Sequence, residues 1–133
     1  MLTIGDVLAM NPCSPYTEER VTELYAGRAE CGINDFLAMD IKDDQKLFVI
    51  LRGNLVSPAI QESLKALYLS RLNKMRAPRL WREASSGDCA TTAHCAQTYA
   101  VVVSGASSVQ QRQEAVATES AWQLARLIEA VNG

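Results

Sequence analysis

The densest apolar stretch of the chain is Leu47-Phe48-Val49-Ile50-Leu51, held between the cations Lys46 and Arg52. So short a run does not declare its own secondary structure: Phe, Val and Ile favour strands, yet a buried helix shows the same continuity. The flanks favour a helix from Lys42 to Arg52. Asp43 and Asp44 stand where a first helical turn gains from carboxylates against the positive end of its dipole, and Gly53 stands where a left-handed cap would fall. Being apolar on nearly all sides, this helix is expected to be covered on most of them and to form the centre of the fold. A buried strand is the alternative.

The remaining pattern is helical as well. Thr3, with Asp6 three residues on, forms a capping box for a short helix through Met10, stopped by Asn11-Pro12. Ser14-Pro15 reads as a cap followed by proline at the first helical position. The helix after it places Val21, Leu24 and Tyr25 on one stripe, loads its early turns with Glu18, Glu19 and Glu23, and ends at Gly27. Ile33, Phe36 and Leu37 give a short apolar face to about Met39. Ser57-Pro58 repeats the start signal for a helix of about eighteen residues that sets Ile60, Leu64, Leu67, Tyr68 and Met75 in a narrow arc until Pro78 breaks it.

Arg79–Ala84 reads as another short helix, and Asp88 as the cap of a segment of small residues, Cys89–Val103, expected to pack closely on its neighbours. Ser108 and Gln111 form a second capping box. The final helix then runs to about Val131 with Ala117, Leu124, Leu127, Ile128 and Val131 facing the core. The pattern predicts an all-α single domain spanning 1–133, a bundle of six to seven helices with a buried central helix. No internal repeat or long linker divides it.

Composition adds the class of protein. A chain of 133 residues, 48% hydrophobic and 21% charged, is long enough to bury about two thirds of its unfolded surface without staples. The N-terminus has no basic region followed by an apolar one, and no stretch has the length of a membrane span, so a cytoplasmic protein with no membrane association is expected. Cys13, Cys31, Cys89 and Cys95 are then most simply reduced thiols.

The net charge of −2 conceals an asymmetry. Residues 1–64 carry ten acids and five bases, residues 65–82 carry six bases and no acid, and residues 83–133 carry five acids and two bases. The basic band comprises Lys65, Arg71, Lys74, Arg76, Arg79 and Arg82, with Trp81 among them. It could meet phosphates or an acidic protein surface, although cations near a helix C-terminus are also favoured by the helix itself. Arg71 falls inside the apolar arc of its helix, so its stem is expected to lie along the core and its head to reach water or a carboxylate, such as one in the first helices. Trp122 lies about 160° from Leu124 on a helical wheel, among Arg112, Glu119, Arg126 and Glu129. That places an indole on the polar side of the last helix, as an interface anchor or under a cover such as the Arg79–Ala84 segment.

The candidates for chemistry are poor. Cys89, His94 and Cys95 are zinc-ligand types, but His94 and Cys95 point about 100° apart on a helix, and a fourth ligand would have to come from Cys13 or Cys31. The chain's one histidine sits beside its candidate cysteine in sequence, which disfavours a Cys-His couple. No glycine-rich phosphate loop or nucleophile elbow is present. No metal, cofactor or catalytic residue is expected, and the chain is expected not to be an enzyme.

Two stretches carry a resemblance: Pro15-Tyr16-Thr17-Glu18-Glu19-Arg20-Val21-Thr22-Glu23-Leu24-Tyr25-Ala26-Gly27-Arg28, and Ile41-Lys42-Asp43-Asp44-Gln45-Lys46-Leu47-Phe48-Val49-Ile50-Leu51-Arg52. Together they resemble small, mostly helical proteins of bacteria and their phages, in part described as immunity-like. The likeness covers the first half; the second half departs, keeping only an echo at Arg76–Arg82. It brings no catalytic residue across. It implies a non-enzymatic accessory protein that binds and inhibits another protein, such as a toxin or a host defence complex including CRISPR machinery. The surface expected for this holds Arg71, Lys74, Arg76, Arg79, Trp81, Arg82 and Trp122. A nucleic-acid-binding regulator using band 65–82 is the alternative, set against a pI near 5.4. A homodimer is a further expectation, since Trp122 and the Ala-Val segment could form a self-complementary patch.

Overall fold

The computed structural model describes residues 1–11, 16–74 and 78–133, with the backbone alone at Lys74 and from Pro78 to Trp81. Those residues form eight helices: α1 (Ile4–Ala9), α2 (Glu18–Tyr25), α3 (Ile33–Ala38), α4 (Asp43–Arg52), α5 (Pro58–Lys74), α6 (Pro78–Ser86), α7 (Cys89–Val103) and α8 (Val109–Asn132). The fold is an all-α bundle. Their number is one or two above the expected six to seven, and the two six-residue helices α1 and α3 fall where short helices were expected. Among the described residues the only β pairing is a single antiparallel bridge between Leu2 and Cys31, which the hydroxyl of buried Tyr25 supports by donating to the Leu2 carbonyl at 2.8 Å.

Local chemistry sets most of the helix starts. Thr3 and Asp6 make the reciprocal capping box of α1: Asp6 N donates to Thr3 Oγ1 at 3.1 Å and Thr3 N to Asp6 Oδ2 at 2.8 Å. Asp88 Oδ1 accepts from Thr91 N at 2.8 Å to start α7, and Ser108 Oγ accepts from Gln111 N at 3.1 Å to start α8. Ser57 Oγ accepts from Ile60 N at 3.3 Å at the start of α5. In α2 the cap is Thr17, whose hydroxyl accepts from Arg20 N at 3.2 Å; the expected Ser14-Pro15 start lies outside the described residues.

The Leu47–Leu51 run is helical and central. Leu47, Val49, Ile50 and Leu51 are buried, and α4 packs on α3, α7 and α8. Its end differs from expectation. Gly53 is not left-handed (φ −80°), and the positive φ falls on Asn54 (φ 55°). Gly53 is needed for space instead: a Cβ there would meet Leu2 Cδ1 at 2.5 Å and the Val49 carbonyl at 2.6 Å. At the end of α2, by contrast, Ala26 (φ 51°) and Gly27 (φ 82°) both turn left-handed, as expected of a glycine-terminated helix.

One main core gathers Val21, Tyr25, Phe36, Leu47, Ile50, Leu64, Tyr68 and Leu127 from α2, α3, α4, α5 and α8. A smaller one, Leu72, Ala84, Cys95 and Ala96, joins α5, α6 and α7 and is edged by Leu69 and Tyr99. Ala90, Ala93 and Ala96 are buried along α7. Their small side chains let α7 sit between α4, α5, α6 and α8. Two expected core positions are not in it. Leu67 is exposed because the buried face of α5 turns through Leu64, Tyr68 and Leu72, and Ala117 is exposed on an open groove between α8 and the start of α4.

Candidate functional site

The expected partner surface spans α5, α6 and α8, and its described part is a cluster around Trp122. Arg71 crosses from α5 to α8. Its Nε donates to Glu119 Oε2 at 3.2 Å and its Nη2 to the same oxygen at 3.1 Å, while Nε also lies 3.4 Å from Oε1. The carboxylate belongs to the last helix, not to one of the first helices. The pair is asymmetric in its surroundings: the Arg71 side chain is 38% exposed, but that of Glu119 only 3%. A buried carboxylate needs such a partner, and the fork geometry of guanidinium supplies it with orientation as well as charge.

The Arg71 guanidinium carbon also lies over the Trp122 ring, 4.8 Å from its centroid, and that of Arg126 lies 5.4 Å away. Tyr68 completes the setting with its ring centroid 6.3 Å from that of Trp122, tilted by 59°. Trp122 is therefore half-buried, covered by Tyr68 and Arg71 of α5 and by Arg126 of its own helix. The polar side of α8 on which the helical wheel placed it is a face that docks on α5. Arg126 Nη2 donates to Glu129 Oε1 at 2.8 Å, and its buried Nε has no hydrogen-bond partner among the described residues. Cation–aromatic contacts of this kind are worth about 0.5–2 kcal/mol each and hold the three side chains in one arrangement.

The rest of the basic band divides. Arg82 is exposed. Lys65 is committed to the fold, its Nζ donating to the Ser85 and Gly87 carbonyls at 2.9 and 2.6 Å and so holding the end of α6. The expectations for Lys74, Arg76, Arg79 and Trp81 fall outside the described residues or side chains.

Behind Trp122 runs a buried polar chain that sequence reasoning did not find. Tyr68 Oη donates to the Gln123 carbonyl at 2.9 Å, Gln123 Nε2 donates to the Ala93 carbonyl at 3.0 Å, and Gln97 Nε2 donates to Gln123 Oε1 at 2.9 Å. Burial pushes the Tyr68 hydroxyl well above the usual tyrosine range, with the charges of Cys89 and Glu119 adding to it. The helical wheel grouped Trp122 with Glu119 and Arg126 but did not single out Gln123; what it lacked was the neighbour that closes over that face.

The thiols and the histidine do not come together. Cys31, Cys89 and Cys95 are buried and free, whereas His94, next to Cys95, is exposed on the other side of α7. Burial pushes the Cys89 thiol up to about 12 and raises those of Cys31 and Cys95. Among the described residues no group of three or more His, Cys, Asp or Glu could hold a metal ion. Cys13 lies outside them. No described helix is long and apolar enough to cross a membrane. An apolar cavity of about 40 Å³ near Val21, Tyr25 and Phe36 is too small for an organic ligand.

No protein-family model, curated protein or solved structure matches this chain.

Proposed function

We propose that the protein is a cytoplasmic, non-catalytic accessory protein of the bacterial or phage kind. It binds an acidic surface of another protein and inhibits that protein by occlusion. The observation that carries this reading is the Arg71–Trp122–Arg126 cluster: an indole and two guanidiniums, all partly exposed, locked in place by a buried carboxylate. Trp and Arg dominate the energetics of protein interfaces, and side chains already held in one rotamer lose little entropy when a partner arrives. Exposed Arg82, together with Lys74, Arg76, Arg79 and Trp81, extends the positive character of the same part of the sequence. The partner is thus a protein with an acidic face, a toxin or a defence complex in the expectation drawn from the resemblance. The Trp122 ring already carries two guanidiniums, which leaves it poorly placed to stack a nucleic-acid base.

The test is capture of tagged protein from bacterial lysate with and without nuclease. A stoichiometric protein partner that survives nuclease is expected. Charge reversal of Arg76, Arg79 and Arg82 together should abolish its capture while leaving helical content unchanged. Material dominated by nucleic acid and lost on nuclease treatment would replace this reading with the regulator.

A further inference from the structure

Beside the contact between α4 and α7 lies an open pocket of about 350 Å³, on the scale of ligand-binding clefts. Most of its lining is apolar, supplied by Leu47, Phe48 and Leu51 of α4 and by Ala90 and Ala93 of α7. The Arg52–Asp88 ion pair, at 2.8 Å, joins the end of α4 to the start of α7, so the two helices run antiparallel along the pocket. From that pair, eight residues back along α4 and nine forward along α7 are climbs of about 12 and 13.5 Å. They bring Asp44 and Gln97 to the same far end, and both line the pocket.

Gln97 is only 6% exposed, yet half of its amide is unused. Its Nε2 donates to Gln123 Oε1 at 2.9 Å, and Gln123 uses its own Nε2 on the Ala93 carbonyl at 3.0 Å. That order fixes both amides. Gln123 can offer Gln97 only an acceptor, so Gln97 turns its nitrogen to the interior and leaves its oxygen to the pocket. Gln97 Oε1 accepts no hydrogen bond from the described residues. It is an acceptor held in one orientation by a buried network, with its own bond still to be made. Asp44, half-buried on the opposite wall, adds a carboxylate. His94, one turn before Gln97, adds a ring nitrogen that accepts when the imidazole is neutral.

We propose that this end of the pocket binds a guanidinium or primary ammonium group on an aliphatic stem. The N–H groups of the cation donate to Gln97 Oε1 and to the Asp44 carboxylate, and the stem lies on Leu47, Leu51, Ala90 and Ala93. Such cations carry donors and no acceptor, which is what a set of acceptors requires; a carboxylate ligand would set oxygen against oxygen. Arg52, the cation at the opposite end, is about 12 Å along the helix and is neutralised by Asp88. The ten acids and five bases of residues 1–64 favour the approach of a cation to α4. The pocket belongs to α4 and α7 and shares no residue with the Trp122 cluster, so it stands or falls separately from the function proposed above.

The ligand chemistry is common to free small amines and to an arginine or lysine side chain of another protein. Amide-resolved NMR titration of the full chain at pH 8 distinguishes them, with n-butylguanidinium for the first, N-acetyl-arginine N-methylamide for the second, and pentanoate as the anionic counterpart. The cations are expected to shift the Thr91, His94 and Gln97 amides with a dissociation constant on the order of 1 mM, and pentanoate to leave them in place. Tighter binding of butylguanidinium assigns the pocket to a free cation, and tighter binding of the capped arginine to a protein side chain. Asp44→Asn should weaken binding about tenfold or more, whereas Asp43→Asn, which removes the same charge from the same turn but outside this pocket, should change it less than about twofold. Gln97→Met, with unchanged helical circular dichroism, should lose binding as Asp44→Asn does; if it does not fold, the Asp44 and Asp43 variants decide. The proposal is overturned if neither cation shifts these amides up to about 20 mM, or if pentanoate binds as well. Equal losses from Asp43→Asn and Asp44→Asn, or no loss from Asp44→Asn, overturn it too.

Discussion

The two ends of the α7–α8 pair are made of one pair of helices and differ in almost everything else. At the buried end, Cys89 to Gln97 of α7 lies against Glu119 to Leu127 of α8, and even the polar groups there are bonded: Gln97 to Gln123, Gln123 to the Ala93 carbonyl, Glu119 to Arg71. At the free end, Val102, Val103 and Val109 face water. Hydrophobicity thus does not sort the two ends. Position in the bundle does: α4, α5 and α6 surround the first end, and no described helix covers the second. A polar group is tolerable in the interior when its hydrogen bonds are supplied, and a few apolar side chains are tolerable at the surface.

The comparison is sharpest where a polar group at the buried end loses its partner. Arg71→Met leaves the Glu119 carboxylate, 3% exposed, without its cation and is expected to cost about 3–5 kcal/mol in urea unfolding. Adding Glu119→Leu should recover most of that loss, because the pair is then replaced by apolar groups of similar size. A double variant as unstable as the single one would contradict a stabilising role confined to the pair.

Gln123→Leu should cost less, about 1–3 kcal/mol, by stranding the Gln97 amide and the Ala93 carbonyl. Asp88→Ala, which removes the cap of α7 and the 2.8 Å ion pair with Arg52, should cost about 1 kcal/mol. Burial raises the Asp88 carboxyl, but the hydrogen bonds from Thr91 and the charges of Arg52 and Lys65 outweigh it and hold the group below the usual carboxylate range. Its contribution is therefore present above the unfolded-state pKa and lost as the pH falls through the folded one, and the Asp88→Ala variant should lose less stability than the wild type on acidification.

Cys89 titrates in the opposite sense. With its thiol raised to about 12 by burial, its stability is present below the unfolded thiol pKa and lost as pH rises toward 12. At pH 8 the native Cys31, Cys89 and Cys95 should resist a thiol reagent until the protein is unfolded, and rapid modification of any of them would show that its cover opens. The smallest effect belongs to the free end: Val102→Ser and Val109→Ser are each expected to change the unfolding free energy of dilute protein by less than about 0.5 kcal/mol.

Much of the helix framework was legible because it is local. Thr3 with Asp6, Asp88 with Thr91, and Ser108 with Gln111 are each three residues apart, so the bond that starts the helix can be read directly from the chain. Arg71 was read as a cation lying along the core, and it does so. Its partner, 48 residues away, could not be read, because the wheel shows which residues share a face and not which helix will meet it. The same limit put Trp122 on a polar side that proved to be an interface with α5, and placed Leu67 and Ala117 in the core.

By itself, then, the sequence determined that the protein is helical, where most helices begin, and that its most apolar run lies at the centre, since caps and periodicity are properties of neighbouring residues. The tertiary structure alone decided that Glu119, Gln97 and Gln123 are interior and Val102, Val103 and Val109 are not. Burial is a relation between elements distant in the chain. Whether a side chain is covered depends on where α5 and α4 come to rest, and their resting place follows from the packing of the whole bundle rather than from any one segment of it.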